Sequence, residues 1–124
     1  MLNTILIKTF VAGAAINPNS LVKFGADDNT VVPAAAATDA IIGVVNNVGA
    51  ASGDRVDVIM IGAAEVEYGG NVTRGDLLTS DANGNAITAA PAAGANARLV
   101  GVAMVSGVSG DIGSVMVKPG SMQG

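Results

Sequence analysis

The residues best able to do chemistry in this chain are oxygen ligands grouped in short acidic motifs. Gly53-Asp54, Gly75-Asp76 and Gly110-Asp111 repeat one dipeptide, and Asp81-Ala82-Asn83-Gly84-Asn85 spaces its oxygens as D-x-N-x-N. Three converging carboxylates would suit a hard cation, and D-x-N-x-N opens the calcium loop of EF-hands. Here the glycine stands two places early and position twelve is Ala92 rather than Glu, so a plain hairpin turn is expected. Each Gly-Asp pair precedes an apolar run, where Gly supplies positive φ and Asp bonds nearby amides, so these too read as turns. Arg74-Gly75-Asp76 spells the integrin-recognition tripeptide, but no export signal provides a route to a receptor. Glu65 and Glu67 flank Val66 on one strand face; such neighbours do not bracket a substrate as an acid/base pair. They should point to water.

What the chain lacks narrows the chemistry further. There is no cysteine, hence no disulfide, thiolate nucleophile or thiolate metal site, and no histidine, hence no Ser-His triad. No P-loop, nucleotide fingerprint or Ser/Lys dyad is visible. The expectation is no catalytic residue, no cofactor and no metal. Six basic residues against ten acidic ones, net −4, cannot supply the basic stripe that nucleic acid requires. One Tyr, two Phe and no Trp leave little for base or sugar stacking. Only 13% of the residues are charged, against about 25% in ordinary soluble domains, and the apolar mass is mostly Ala and Val. That composition suits a surface largely covered by other subunits. No apolar run approaches the roughly 20 residues needed to span a bilayer, so no membrane partner is expected. Lys8 sits inside the first apolar stretch rather than before it, which argues against a signal peptide.

The elements that must carry these motifs read as strands. Gly, Asn and Asp punctuate the chain every eight to twelve residues or so, with β-branched clusters between. Expected strands are Thr4–Phe10, Leu21–Phe24, Thr30–Val32, Ala40–Val48, Arg55–Ile61, Ala64–Tyr68, Asp76–Ser80, Ala86–Ala89, Arg98–Val105 and Ile112–Lys118. The Ala-rich stretches Pro33–Ala37 and Ala89–Ala97 contain Pro or Gly and read as loops. Val56, Val58 and Met60 should share one face. Asn83-Gly84 is a hairpin signal of the type I′ kind, and Gly43 and Gly101 mark bulges or close backbone approach.

The two halves resemble each other. Residues 21–31 align with 77–87 at a shift of 56, and Ile41-Ile42-Gly43-Val44-Val45 matches Leu99-Val100-Gly101-Val102-Ala103 at a shift of 58. The chain is therefore expected to be all-β, one compact β-clip or small-barrel-like domain over residues 14–124, built from pseudo-repeats at about 14–62 and 69–120. Neither half is apolar enough to fold alone, so the two should share a core. Residues 1–13 stand outside the repeat as an N-terminal strand or arm. There Leu2, Ile5, Ile7 and Phe10 are expected to make apolar contacts with a partner, and Lys8 a polar one.

Taken in order, several stretches resemble the capsid cement (head decoration) proteins of tailed phages. They are Ile41-Ile42-Gly43-Val44, then Gly53-Asp54-Arg55-Val56-Asp57-Val58, then the run from Val72 to Ala86 through Arg74-Gly75-Asp76 and Asp81-Ala82-Asn83-Gly84-Asn85, then Val100-Gly101-Val102-Ala103 and Val117-Lys118-Pro119-Gly120. Each is turn chemistry; order and spacing carry the match, over most of residues 14–120. The resemblance implies a non-catalytic structural protein on the outer surface of a phage head, made in the host cytoplasm and clamping major capsid subunits. It also implies a closed homo-oligomer, with a trimer favoured. The alternatives are a β-clip ligand-binding module, against which the missing aromatics count, and another virion or surface-layer subunit.

Overall fold

The computed structural model describes residues 4–124 and contains nine strands: β1 (Thr4–Ala12), β2 (Leu21–Phe24), β3 (Thr30–Pro33), β4 (Ile41–Val45), β5 (Arg55–Glu67), β6 (Leu77–Ser80), β7 (Ala86–Thr88), β8 (Asn96–Ala103) and β9 (Ile112–Gln123). All belong to one sheet in the order β1-β3-β2-β4-β5-β9-β8-β6-β7, with β1 also paired to β5. That extra pairing closes β1, β3, β2, β4 and β5 into a ring. β1 runs antiparallel to β5 from Thr4↔Gly62 to Val11↔Arg55, and parallel to β3 only at Val11 and Ala12. The fold is all-β and compact, as the strand and turn signals implied.

The same pairing scheme occurs twice. β2 pairs with β3 and β4, and β4 with β5; β6 pairs with β7 and β8, and β8 with β9. Leu21↔Val44 and Val22↔Gly43 correspond to Leu77↔Val102 and Leu78↔Gly101. Gly43 and Gly101 are close-approach positions: an added Cβ would meet the Ile59 carbonyl in one case and the Met116 carbonyl in the other. The ladder slips beside each, skipping Ile42 in β4 and Val100 in β8.

Two apolar clusters hold the sheet together. The larger draws on both halves, with Leu21, Ile41, Val44, Ile59, Val66 and Tyr68 beside Leu78, Val100, Val115 and Val117. The smaller fills the ring with Phe10, Ile16, Val22, Val31, Val45, Val56 and Val58; Met60 packs against it half-buried. Burying each Val or Leu contributes about 1.5–3 kcal/mol, so an aromatic-poor chain builds its core from many medium side chains.

Several boundaries differ from expectation. Arg55–Ile61 and Ala64–Tyr68 are not two strands but one, because Gly62, at φ 113°, lets β5 rotate without breaking. Ile59 and Ala64 consequently face the same cluster despite their opposite parity. β4 stops at Val45, and β9 continues past Lys118 to Gln123. Pro119 is tolerated there because the β5–β9 ladder ends at Val117, leaving an edge that needs no amide.

Candidate partner-binding face

The acidic motifs are consumed by the backbone. In Ala51–Asp54, Thr73–Asp76 and Val108–Asp111 the Asp amide donates to the carbonyl three residues earlier, at 3.0, 2.9 and 3.0 Å. Its carboxylate accepts the amide of that same residue at 3.1, 2.9 and 2.9 Å. Gly53, Gly75 and Gly110 sit between them at φ 92°, 94° and 91°, the third position of a type II turn. Each glycine amide then donates to a carbonyl at or just past a strand end, that of Ala12, Ala103 or Tyr68, at 2.7–2.8 Å. Three identical clips thus pin three strand ends. Among the described residues no group of three potential ligands could hold a metal ion.

The other motifs resolve similarly. Asp76 also accepts the Thr88 hydroxyl at 2.9 Å, tying Arg74-Gly75-Asp76 into the fold. Asp81 accepts the amides of Asn83 and Asn85 at 2.8 and 2.9 Å. The hairpin is present, but only Gly84 has positive φ (77°), so its turn is not type I′. The Asp81 carboxylate holds Asn83 in ordinary backbone space instead. Glu65 is exposed and Glu67 half-buried around the buried Val66. Tyr68 is fully buried, and its hydroxyl donates to the Val105 carbonyl at 2.7 Å. Burial pushes its phenol above the usual range, and the nearby Asp111 carboxylate adds to this. A Cβ at Gly107 or Gly113 would strike the Tyr68 ring, which explains why both are glycine.

Among the surfaces left available for recognition is the face around β1. Ile5 is 78% exposed, Ile7 and Leu6 are about half exposed, and Lys8 is exposed. Leu2 lies outside the described residues. Phe10 is only 2% exposed; its ring meets Phe24 edge-on at 5.9 Å, and the Lys8 ammonium sits 5.1 Å from its centroid. Its side chain therefore serves the core, not the surface. Two back-to-back bulges interrupt the β1–β5 ladder near the start of β1. The ladder passes from Thr4↔Gly62 to Leu6↔Ile61 to Ile7↔Ile59, leaving Ile5 of β1 and Met60 of β5 without partners. Among the described residues, Thr4–Phe10 have no strand on their other edge.

Beside this edge runs an apolar groove of about 330 Å³, lined by Leu6, Ile42, Met60, Ile61, Arg98 and Pro119 over a floor of Ile41. Arg98 and Pro119 also border a second hollow of about 530 Å³, with Asn96, Ser121 and Gln123. Sequence reasoning missed this groove. Its residues come from five strands and meet only through long-range strand pairings, for which no local signal exists.

Comparison with known proteins bears on what such a face would touch. A family model described as phage cement protein matches residues 3–119. Among solved structures, the N base of the head fiber protein of bacteriophage phi29 superposes with a TM-score of 0.67 at 20% identity, covering 95% of each chain. At that identity the likeness concerns the fold. No curated protein matches the chain.

Proposed function

The chain belongs to the phage cement protein family, a phage capsid structural protein, and we propose that it binds the outer surface of the head and stabilises contacts between major capsid subunits. The observation that carries the reading is the family match over nearly the whole chain. The architecture is consistent with it: acidic residues are spent on turns, whereas an apolar strand edge is left uncovered. An open edge recruits a partner strand through backbone hydrogen bonds, with side chains setting specificity. In this reading Ile5, Ile7 and Lys8 contact the partner, the protein acts without catalysis or cofactor, and it works as a closed homo-oligomer, a trimer being favoured.

Binding of the purified protein to expanded, undecorated heads tests the assignment. Wild-type protein should sediment with the heads. Ile5→Asp/Ile7→Asp should weaken binding at least about tenfold, the equivalent of 1.4 kcal/mol, while leaving the melting temperature nearly unchanged. Equal affinity of the variant would remove the contact assignment; failure of wild type to bind would remove the function.

A further inference from the structure

Resting on that reading, we propose that the groove lined by Leu6, Ile42, Met60, Ile61, Arg98 and Pro119 receives an extended segment of the capsid protein that carries apolar side chains and a carboxylate for Arg98. The groove is a built feature of the sheet. β4 pairs with β5 only at Val58 and Ile59, and β9 joins β5 at Gly62, so Met60 and Ile61 have no neighbour on that edge. On the opposite edge the adjacent bulges leave Ile5 and Met60 out of the ladder. Bulges re-aim side chains, and here Leu6 and Ile61 stand opposite each other, both 44% exposed at the groove. Their hydration is relieved only when something covers them.

Charge identifies the occupant. The chain carries ten acidic residues, yet none lines the groove or the adjoining hollow. Arg98 lies between the two, and Lys118 immediately precedes Pro119. Neither is in an ion pair among the described residues; the one ion pair there joins Lys23 to Asp39 at 2.9 Å. An acidic protein thus keeps its carboxylates away from one apolar groove and sets a guanidinium where that groove meets the adjoining hollow. That arrangement repels nothing acidic and matches the planar fork of Arg to a carboxylate. A two-fold pairing of this face with a second copy would bury the Arg98 of both copies, with no carboxylate in the lining to offset them.

The test is head binding by Arg98→Glu, with Arg98→Gln as a milder variant and light scattering on both. The Arg98 side chain is exposed and makes no hydrogen bond, its backbone amide alone donating to Ala37, so both variants should melt like wild type. Wild-type affinity for undecorated heads should fall as salt rises. Arg98→Glu should bind at least tenfold more weakly, and Arg98→Gln should show a flatter salt dependence. If wild type binds and both variants bind equally well, the groove assignment is overturned and the function stands. If the variants lose self-association but bind heads normally, the face joins copies of this chain, and the proposal is likewise overturned. Failure of wild type to bind overturns the reading beneath it.

Discussion

Asp54, Asp76 and Asp111 each accept an amide within a turn whose glycine amide is anchored to a strand end. A hydrogen bond to a charged acceptor contributes about 1.5–3 kcal/mol, the exposed ones less. Asp111→Ala should therefore cost about 1–2 kcal/mol, read as a drop of several degrees in melting temperature, and Asp111→Asn less. Equal melting of Asp111→Ala and wild type would mean that the clip is ornamental. Tyr68 carries the matching prediction for pH. Its folded-state pKa is raised, so the folded form holds the phenolic proton more tightly than the unfolded chain does. That contribution is complete below about pH 10 and is lost as pH rises through the folded value. Urea midpoints measured upward from pH 9 should fall more steeply for wild type than for Tyr68→Phe. At pH 7 the Phe variant should itself be about 1 kcal/mol less stable, having lost the bond to the Val105 carbonyl.

At the scale of elements, β1 is the strand with two allegiances. Its far end supplies Phe10 and Ala12 to the smaller cluster, while its near end presents Ile5 and Ile7 to solvent. Removing residues 1–10 should therefore unfold the ring rather than merely abolish head binding. Loss of a buried Phe alone costs about 3–5 kcal/mol, a large share of a small domain's stability. Circular dichroism and urea titration of the truncated chain check this; an undiminished urea midpoint would mean that the ring closes without β1. Much of the element list was legible because its causes are local. Val56 and Val58 alternate with Arg55 and Asp57, and the Gly-Asp turns announce themselves by type. The continuity of β5 through Gly62 was not legible, since Gly ends many strands and only flanking ladders show that this one continues. Phe10 was misplaced for a related reason: it is buried by the closing of the ring around the smaller cluster, which no local signal announces. The groove was out of reach altogether, because Leu6, Ile42, Arg98 and Pro119 become neighbours only in the closed sheet.

For the whole molecule, low charge and, among the described residues, thirteen exposed large apolar side chains set the expectation of self-association, since that surface is more favourable when covered. Light scattering after gel filtration at tens of micromolar should give a discrete small oligomer, a trimer by preference. A monomer at that concentration would remove the trimer while leaving head binding to be judged separately. The ring has one more implication, which concerns synthesis. Thr4 pairs with Gly62 and Val11 with Arg55, so β1, once synthesised, waits about fifty residues for its main partner. During that interval an apolar TILI run travels unpaired beside other nascent chains, the circumstance in which aggregation competes with folding. Thr4 on one side and Lys8 and Thr9 on the other bound the apolar residues, and in that light they act as a guard during the wait.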